Sequence, residues 1–213
     1  MCRYEHTIAI TNRTLVQGDF LEQMKKVVHL QPHAVILREK DLPDDAYKAL
    51  AEKILPLCER EGVRCFLHSR VSIARNLGCR RIHLSIPALE TMSEAELFEL
   101  QRDFEEISVS CHSLEDVNIA VKNGATQIIL GTIFETDCKK GLKGKGIGFV
   151  EAICKACPLP VYAIGGINLE RQGYNRLQLR DNAPHHGRFV NLRQAHIHIQ
   201  NIRPAGFLLQ CLF

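Results

Sequence analysis

The sequence contains no apolar run that approaches the roughly 20 residues needed to span a membrane. Its formal net charge is only +3, which is too small to argue for binding to nucleic acid or to a membrane surface. The first residues, MCRYEHTIAITNRT, lack the apolar core of a secretory signal. We therefore expect a cytoplasmic protein with no nucleic-acid partner and no membrane partner.

Paired cysteine motifs are also scarce, although the chain has nine cysteines. The one CxxC spacing joins Cys154 to Cys157, inside a helical pattern and without a second pair. An odd number of cysteines without a secretory signal is typical of small, semi-buried thiols in a reducing compartment. A structural zinc site needs about four ligands at suitable spacing, and no such set is found. The sequence therefore predicts free thiols and no metal site.

The chain does contain a regular alternation of short apolar runs and helical patterns. The predicted strands cover residues 7–10, 33–37, 64–67, 81–84, 107–110, 127–130 and 160–164. Helical spacing is found over residues 20–30, 43–57, 71–77, 93–104, 113–124 and 147–157. Ser93 and Glu96 form a capping-box signal, and Gly78 ends the helix before it.

Seven strands that alternate with helices predict a parallel sheet with helical crossovers. The α/β fold class that closes such units most economically is the TIM (β/α)₈ barrel, and 213 residues suffice for one. A doubly wound open sheet is the alternative, but no Rossmann-type glycine fingerprint follows the first strand. We expect the barrel over residues 1–170 and an atypical tail over residues 171–213.

Several predicted strands are followed by polar residues or glycines, at the end where a barrel carries its active site. They are Arg38, Glu39, Lys40 and Asp41 after the second strand, His112 after the fifth, Thr136 and Lys139 after the sixth, and Gly165 and Gly166 after the seventh. A lone histidine is more often a surface residue, and a charged loop is usually solvated. Their shared position at one end of successive strands favours a site.

The residue types at these strand ends have definite chemical uses. Consecutive glycines, Gly165 and Gly166, let backbone N–H groups approach an anion closely, and Lys139 adds a positive charge. His112 titrates near neutrality, so it can take and return a proton. Glu39 can act as a second acid/base group if the site raises its pKa. We predict a mouth that binds a small phosphorylated molecule.

Four segments carry a resemblance to a known family. They read LREKD (37–41), SCHS (110–113), GTIFETDCKKGLKGKG (131–146) and PVYAIGGI (160–167). Over roughly residues 6–168 the chain resembles the thiamine phosphate synthase/TenI superfamily, and FETDCKKGL is most similar to the TenI branch, the thiazole tautomerases. The resemblance independently implies a TIM barrel.

Departures from the synthase pattern distinguish the two branches. Synthases of this superfamily carry Gln-x-Arg-x-Lys on the second strand, whereas Ile36 stands here in place of the Gln. They have Asn-Asp after the third strand and an Asp after the fourth, where this chain has His68-Ser69 and Ser-Ile-Pro-Ala over 85–88. In the synthases, these two Asp residues are the Mg²⁺ ligands. Their loss should strongly slow pyrophosphate displacement, because the ion neutralises the charge of the leaving group. The resemblance therefore favours the tautomerase branch.

The tautomerase resemblance implies proton transfer on a carboxythiazole phosphate, which converts a non-aromatic tautomer into the aromatic thiazole without metal or cofactor. It implies that His112 is the principal proton-transfer residue and that Glu39 assists it. It also implies that Gly165 and Gly166 hold the substrate phosphate. The residues implied to line the remaining site are Arg38, Lys40, Thr136 and Lys139.

The last segment departs from the superfamily altogether. After Ile167 the superfamily continues with a helix, an eighth strand and a second phosphate-binding loop, and residues 171–213 contain no such motif. A frameshift or a lineage-specific tail would explain the difference, and residues 195–199 show weak strand-like alternation. We expect an open barrel that exposes the edges of its first and seventh strands.

Two other functions stay open. One is a thiamine phosphate synthase that tolerates substituted Mg²⁺ ligands. The other is a non-catalytic binding or regulatory protein that retains a phosphate pocket. The sequence also leaves open whether the chain forms a homo-oligomer.

Overall fold

A computed structural model of the chain describes residues 7–135, 143–167 and 207–212. Its strands are β1 (Thr7–Thr11), β2 (Ala34–Leu37), β3 (Arg64–His68), β4 (Arg81–Ser85), β5 (Glu106–Cys111), β6 (Gln127–Gly131), β7 (Val161–Ile164) and β8 (Phe207–Leu212). Its α-helices are α1 (Phe20–His29), α2 (Asp44–Arg60), α3 (Val71–Asn76), α4 (Ile86–Glu90), α5 (Glu94–Asp103), α6 (Leu114–Lys122) and α7 (Gly146–Ala156).

The eight strands form one closed barrel in chain order. β1 to β7 pair in parallel, which confirms the α/β TIM-barrel prediction. β8 runs antiparallel to both of its neighbours, β1 and β7, so the last unit is atypical, as the sequence predicts. The expectation of open edges was wrong, because residues 207–212 of the tail pair with both of them. The strand-like pattern at 195–199 lies outside the described residues.

Side chains alternate between the two faces of the barrel wall, and this alternation fills two separate cores. The interior core contains Ile8, Ala34, Ile36, Phe66, Ile129 and Tyr162. Their sequence neighbours, such as Val35 and Leu67, face outward and pack with the helices. Because strand side chains repeat every two residues, the interior face continues beyond Ile36 and Phe66 to Arg38 and His68 at the carboxyl ends of β2 and β3.

Three of the helices, α1, α5 and α6, begin at a residue whose side chain caps the first turn. Asp19 accepts a hydrogen bond from the Glu22 N–H at the start of α1. Ser93 and Glu96 form the predicted capping box of α5, with both reciprocal hydrogen bonds present. The sequence analysis missed a short 3₁₀ helix over Arg13–Leu15 and the five-residue α4. No helix in the described ranges is long and apolar enough to cross a membrane.

The structure shows free thiols at Cys58, Cys65, Cys79, Cys111, Cys154 and Cys157. Cys58, Cys65 and Cys111 are buried among apolar side chains. Burial raises the pKa of Cys154 to about 11 and also raises the pKa of Cys157, so the CxxC pair lacks the low thiol pKa of a redox motif. These thiols act as small apolar groups of the core.

Candidate functional site

The carboxyl ends of the parallel strands meet at one opening of the barrel, here called the mouth. The strand residues at the mouth are His68 of β3, His83 of β4, Ser110 of β5 and Gly131 of β6. The residues that follow strands there are Arg38 and Lys40 after β2, His112 after β5, and Gly165 and Gly166 after β7. Chemistry in (β/α)₈ barrels is located at this end. Of the predicted site residues, Thr136 and Lys139 lie outside the described part of the chain.

His112 is held at the mouth by two hydrogen bonds. Its backbone N–H donates to the Asp116 carboxylate, and its ring Nδ1 bonds to the backbone carbonyl of Gly131. A carbonyl oxygen can only accept, so Nδ1 must carry a proton. The unprotonated nitrogen of the neutral ring is then Nε2, which no other described residue hydrogen-bonds. The exposed His112 ring therefore presents a basic nitrogen.

Lys145 adds a cation beside His112. Its Nζ donates to the His112 carbonyl and lies 4.7 Å from the centre of the Phe149 ring. Its backbone N–H donates to the Thr132 carbonyl over 3.1 Å, which ties the start of α7 to the end of β6. The loop after β6 thus returns a positive charge to the mouth. Lys145 belongs to the GLKGKG segment, and it was not among the site residues predicted from the sequence.

Gly165 and Gly166 allow two loops to approach each other closely. Both have positive φ angles, +101° and +64°. A Cβ on Gly165 would lie 2.5 Å from Cγ2 of Thr132, and one on Gly166 would lie 2.5 Å from the Glu135 carbonyl oxygen. The Gly165 carbonyl accepts from the Phe134 N–H over 2.9 Å. The pair therefore packs the β7 end against the loop after β6, and its role in phosphate binding stays a prediction.

Glu39 lies at the same end of the barrel but points toward β1. It is 2% exposed and accepts hydrogen bonds from the Thr11 hydroxyl at 2.6 Å and from the Arg13 backbone N–H at 3.0 and 3.1 Å. The Thr11 oxygen in turn accepts from the Arg38 backbone N–H over 2.9 Å. This network fixes the loops after β1 and β2. The role of Glu39 in proton transfer stays a prediction.

Two further histidines, His83 and His68, lie side by side at the floor of the mouth. His83 is 3% exposed, and its Nδ1 and Nε2 each lie 2.9 Å from a serine hydroxyl, those of Ser108 and Ser110. The half-buried His68 ring lies beside it, with 5.5 Å between the ring centres. The sequence analysis noted His68 only as a departure and missed His83. The sequence did carry a signal for this polar cluster, because Ser108, Ser110 and His112 alternate and therefore lie on one face of a strand.

The mouth is electrostatically positive around these rings. Burial, and then the positive charges of Arg38 and Lys40, lower the pKa of His68 to about 4. Burial, with smaller effects of His68, Arg38 and Lys40, lowers the pKa of His83 to about 3. Both imidazoles are therefore neutral at pH 7. Desolvation disfavours the charged ring, and nearby cations disfavour it further.

The donor set at the ends of β3 and β4 does not suit Mg²⁺. That ion prefers carboxylate and water oxygens, whereas the side chains here are His68, Ser69 and Ser85, beside the cationic Arg38. Within the described ranges, no three His, Cys, Asp or Glu side chains come together as potential metal ligands. The positive charges of Arg38 and Lys40 repel a divalent cation. The arrangement suits an anion.

A closed barrel with a cationic, histidine-bearing mouth belongs to the class of (β/α)₈-barrel proteins that act on small molecules at the carboxyl ends of their strands. The chain matches the family model described as thiamine monophosphate synthase (TMP-TENI) over residues 7–174. It therefore belongs to this family of thiamine biosynthesis enzymes, which confirms the predicted superfamily.

Individual relatives also carry the names of thiamine-phosphate synthases or of a thiamine phosphate pyrophosphorylase. The chain is 34% identical over 160 residues to a Geobacter sulfurreducens protein provisionally named thiamine-phosphate synthase, with 74% of each chain covered. It is 26% identical over 160 residues to the thiamine-phosphate synthase of Clostridium tetani, covering 75% of each chain. The solved thiamine phosphate pyrophosphorylase from Pyrococcus furiosus is similar, with a TM-score of 0.66, 25% identity and 80% of each chain covered. None of these names is specific to the TenI branch, which stays a prediction.

Proposed function

We propose that this chain is a thiazole tautomerase, which binds a carboxythiazole phosphate in the mouth and aromatises it by proton transfer. The observation that carries the proposal is the geometry of His112. Its Nδ1 proton is committed to the Gly131 carbonyl, so Nε2 is available as a base at an exposed position. Proton transfer on a ring carbon requires such a group within reach of the substrate.

The charge of the mouth supports an anionic substrate. Arg38 and Lys40 lie close enough to lower the pKa of both histidines on the floor, and Lys145 lies beside His112. The carboxylate of Glu39 accepts hydrogen bonds from Thr11 and Arg13. A substrate with a phosphate and a carboxylate complements such a surface.

The proposed reaction needs only this chain's own groups. Nε2 of His112 takes a proton from the saturated ring carbon and becomes an imidazolium, while the electron pair delocalises into the conjugated ring and carboxylate. The imidazolium then returns the proton at the other end of the conjugated system, which leaves the aromatic ring. General acid–base catalysis of this kind contributes about 10²- to 10⁴-fold in rate.

The second candidate is a thiamine phosphate synthase, and the names of the relatives favour it more directly than they favour the first. Synthase chemistry displaces pyrophosphate, whose charge must be neutralised. Arg38 and Lys40 could supply part of that charge, but the donors at His68, Ser69 and Ser85 do not suit Mg²⁺. The donor set is our reason for preferring the tautomerase.

Two reactions run on one preparation of the full chain discriminate the candidates. The first supplies the non-aromatic carboxythiazole phosphate in EDTA and follows aromatisation by ultraviolet absorbance. The second supplies hydroxymethylpyrimidine pyrophosphate and thiazole phosphate with Mg²⁺ and follows thiamine phosphate. We expect acceleration of the first reaction, with no further gain from Mg²⁺, and no coupling above background in the second.

The opposite pattern would overturn the tautomerase. Mg²⁺-dependent coupling without aromatisation would assign the chain to the synthases. Binding of the aromatic product, measured by calorimetry, with neither reaction would assign it a non-catalytic binding role. Each pattern is read on protein whose folded state is first verified by circular dichroism.

A further inference from the structure

We propose that His68 is a second substrate-contacting residue, a neutral hydrogen-bond donor that lines the mouth together with His112. This inference deepens the proposed function and rests on it for the identity of the substrate. It starts from the position of His68, which follows the interior residue Phe66 by two places and so shares its face of the barrel wall.

The position of the ring is fixed from two sides. The His68 backbone N–H donates to the Tyr47 hydroxyl over 3.0 Å, and that hydroxyl donates to the Leu37 carbonyl over 2.6 Å. Tyr47 is 1% exposed, so it is a buried strut between the ends of β2 and β3. On the other side, His68 is paired in register with His83 of β4, and their rings lie 5.5 Å apart.

His83 is itself immobilised, which makes the support rigid. Both of its ring nitrogens are hydrogen-bonded, to Ser108 and Ser110, and it is almost completely buried. By contrast, no other described residue hydrogen-bonds the ring nitrogens of His68, and the residue is only half-buried. A polar ring that is supported from below and bonds to no side chain of another described residue is suited to contact a ligand.

The neighbours of His68 keep the ring in its neutral form. Burial lowers the pKa of His68 to about 4, and the positive charges of Arg38 and Lys40 after β2 and of Arg70 lower it further. A neutral imidazole donates one N–H without giving up its proton. It can therefore stabilise a negative charge that develops in the transition state, and it keeps its own proton while doing so.

The two histidines are about a quarter-turn apart around the eight-stranded mouth. They are on or directly after β3 and β5, which are separated by one strand, and strands in a sheet are about 4.8 Å apart, so the two ends are separated by about 10 Å. As Nε2 of His112 removes the proton, charge accumulates on the carboxylate or ring heteroatom of the substrate. The N–H of His68 is then the donor that meets that charge, and it keeps its proton throughout.

The test uses ¹⁵N-histidine-labelled wild-type chain and the stable aromatic carboxythiazole phosphate as probe. We expect the His68 ring signals, assigned with His68→Gln, to shift on titration with the probe, while inorganic phosphate alone leaves them in place. In steady-state aromatisation, His68→Phe should lower kcat by about 10²-fold with little change in KM, because one transition-state donor is removed. His68→Gln, which retains an N–H donor, should recover most of that loss.

The outcomes separate this inference from the proposed function. Full kcat in a folded His68→Phe variant, or His68 signals that do not respond to the probe, would overturn the inference even if the wild type is a tautomerase. A His68 shift on binding without any aromatisation by the wild type would overturn the tautomerase but support the contact. A loss of kcat that Gln does not recover would make His68 a structural residue and would also overturn the inference.

Discussion

At the scale of single residues, the sequence predicted which residues lie at the mouth better than it predicted their hydrogen-bond partners. His112 could be singled out because it follows an apolar run in a polar motif, and the structure brings it to the mouth. Its orientation could not be predicted, since it depends on the Gly131 carbonyl of another strand. His83 was missed because a histidine inside a strand resembles a core residue until its contacts with Ser108 and Ser110 are known.

Glu39 shows how a buried carboxylate can serve the structure of a site. Glu39→Gln replaces a buried acceptor of hydrogen bonds from Thr11 and Arg13, so we expect the free energy of unfolding in urea to fall by about 1–3 kcal/mol. Glu90→Gln, on the exposed surface of α4, is the matched control and should change stability by less than about 0.5 kcal/mol. Unchanged stability together with lost proton transfer would instead make Glu39 the predicted catalytic helper.

The buried His83 should make the free energy of unfolding depend on pH. Its pKa is about 3 in the folded chain, against 6.5 without the fold, so below pH 6.5 the unfolded chain binds a proton that the folded chain does not. Stability should therefore fall as the pH decreases from 6.5 toward 3, by up to about 1.4 kcal/mol per pH unit for this group. His68, whose folded pKa is also lowered, acts in the same direction.

Urea unfolding at several pH values between 4 and 7 measures that slope. We expect His83→Gln, whose amide can still bond to both serines, to have a shallower slope than the wild type. His29→Gln changes an exposed surface histidine of α1 and should leave the slope as it was. Equal slopes in the wild type and His83→Gln would show that His83 does not stay neutral in the folded chain.

At the scale of elements, local signals predicted most of the fold. Strands β1 to β7 and six helices lie within a few residues of their predicted bounds, because apolar runs and capping residues mark their ends. Helix α4 was missed because five residues are too few for a helical period to emerge. β8 was missed because its antiparallel pairing is decided by the open edges of β1 and β7.

The capping box of α5 gives a prediction at this scale. Ser93→Ala removes the side-chain acceptor for the Glu96 N–H and the hydroxyl that donates to the Glu96 carboxylate, while the backbone N–H of residue 93 can still donate to that carboxylate. The free energy of unfolding should decrease by about 1 kcal/mol, as is usual for the loss of a serine cap. Ser72→Ala, at an exposed position within α3, is the control and should have little effect. Equal stability of the two variants would contradict the assigned cap.

At the scale of the whole molecule, β8 decides whether the barrel has edges. It pairs with Thr7–Thr11 of β1 through five residue pairs and with β7 through Tyr162 and Ala163. Without it, both edges would present unpaired backbone groups, which are templates for aggregation. The sequence could not predict this closure, because residues 171–213 carry no family motif to identify a strand.

Truncation tests the closure directly. We expect deletion of residues 207–213 to lower the thermal midpoint and to increase aggregation, measured by circular dichroism and light scattering, because two strand edges become open. Deletion of Phe213 alone leaves β8 in place and is the control. A chain lacking residues 207–213 that aggregates no more than the full chain and has an unchanged thermal midpoint would show that β8 does not close the barrel in solution.

The proposed function requires His112 to move a proton on a thiazole phosphate without a metal ion. The rate of aromatisation in EDTA, measured for the wild type, His112→Gln and the surface control His29→Gln, tests this requirement. We predict that His112→Gln loses about 10²- to 10⁴-fold in kcat while His29→Gln keeps the wild-type rate. A folded His112→Gln chain that aromatises the substrate as fast as the wild type would contradict the proposed function.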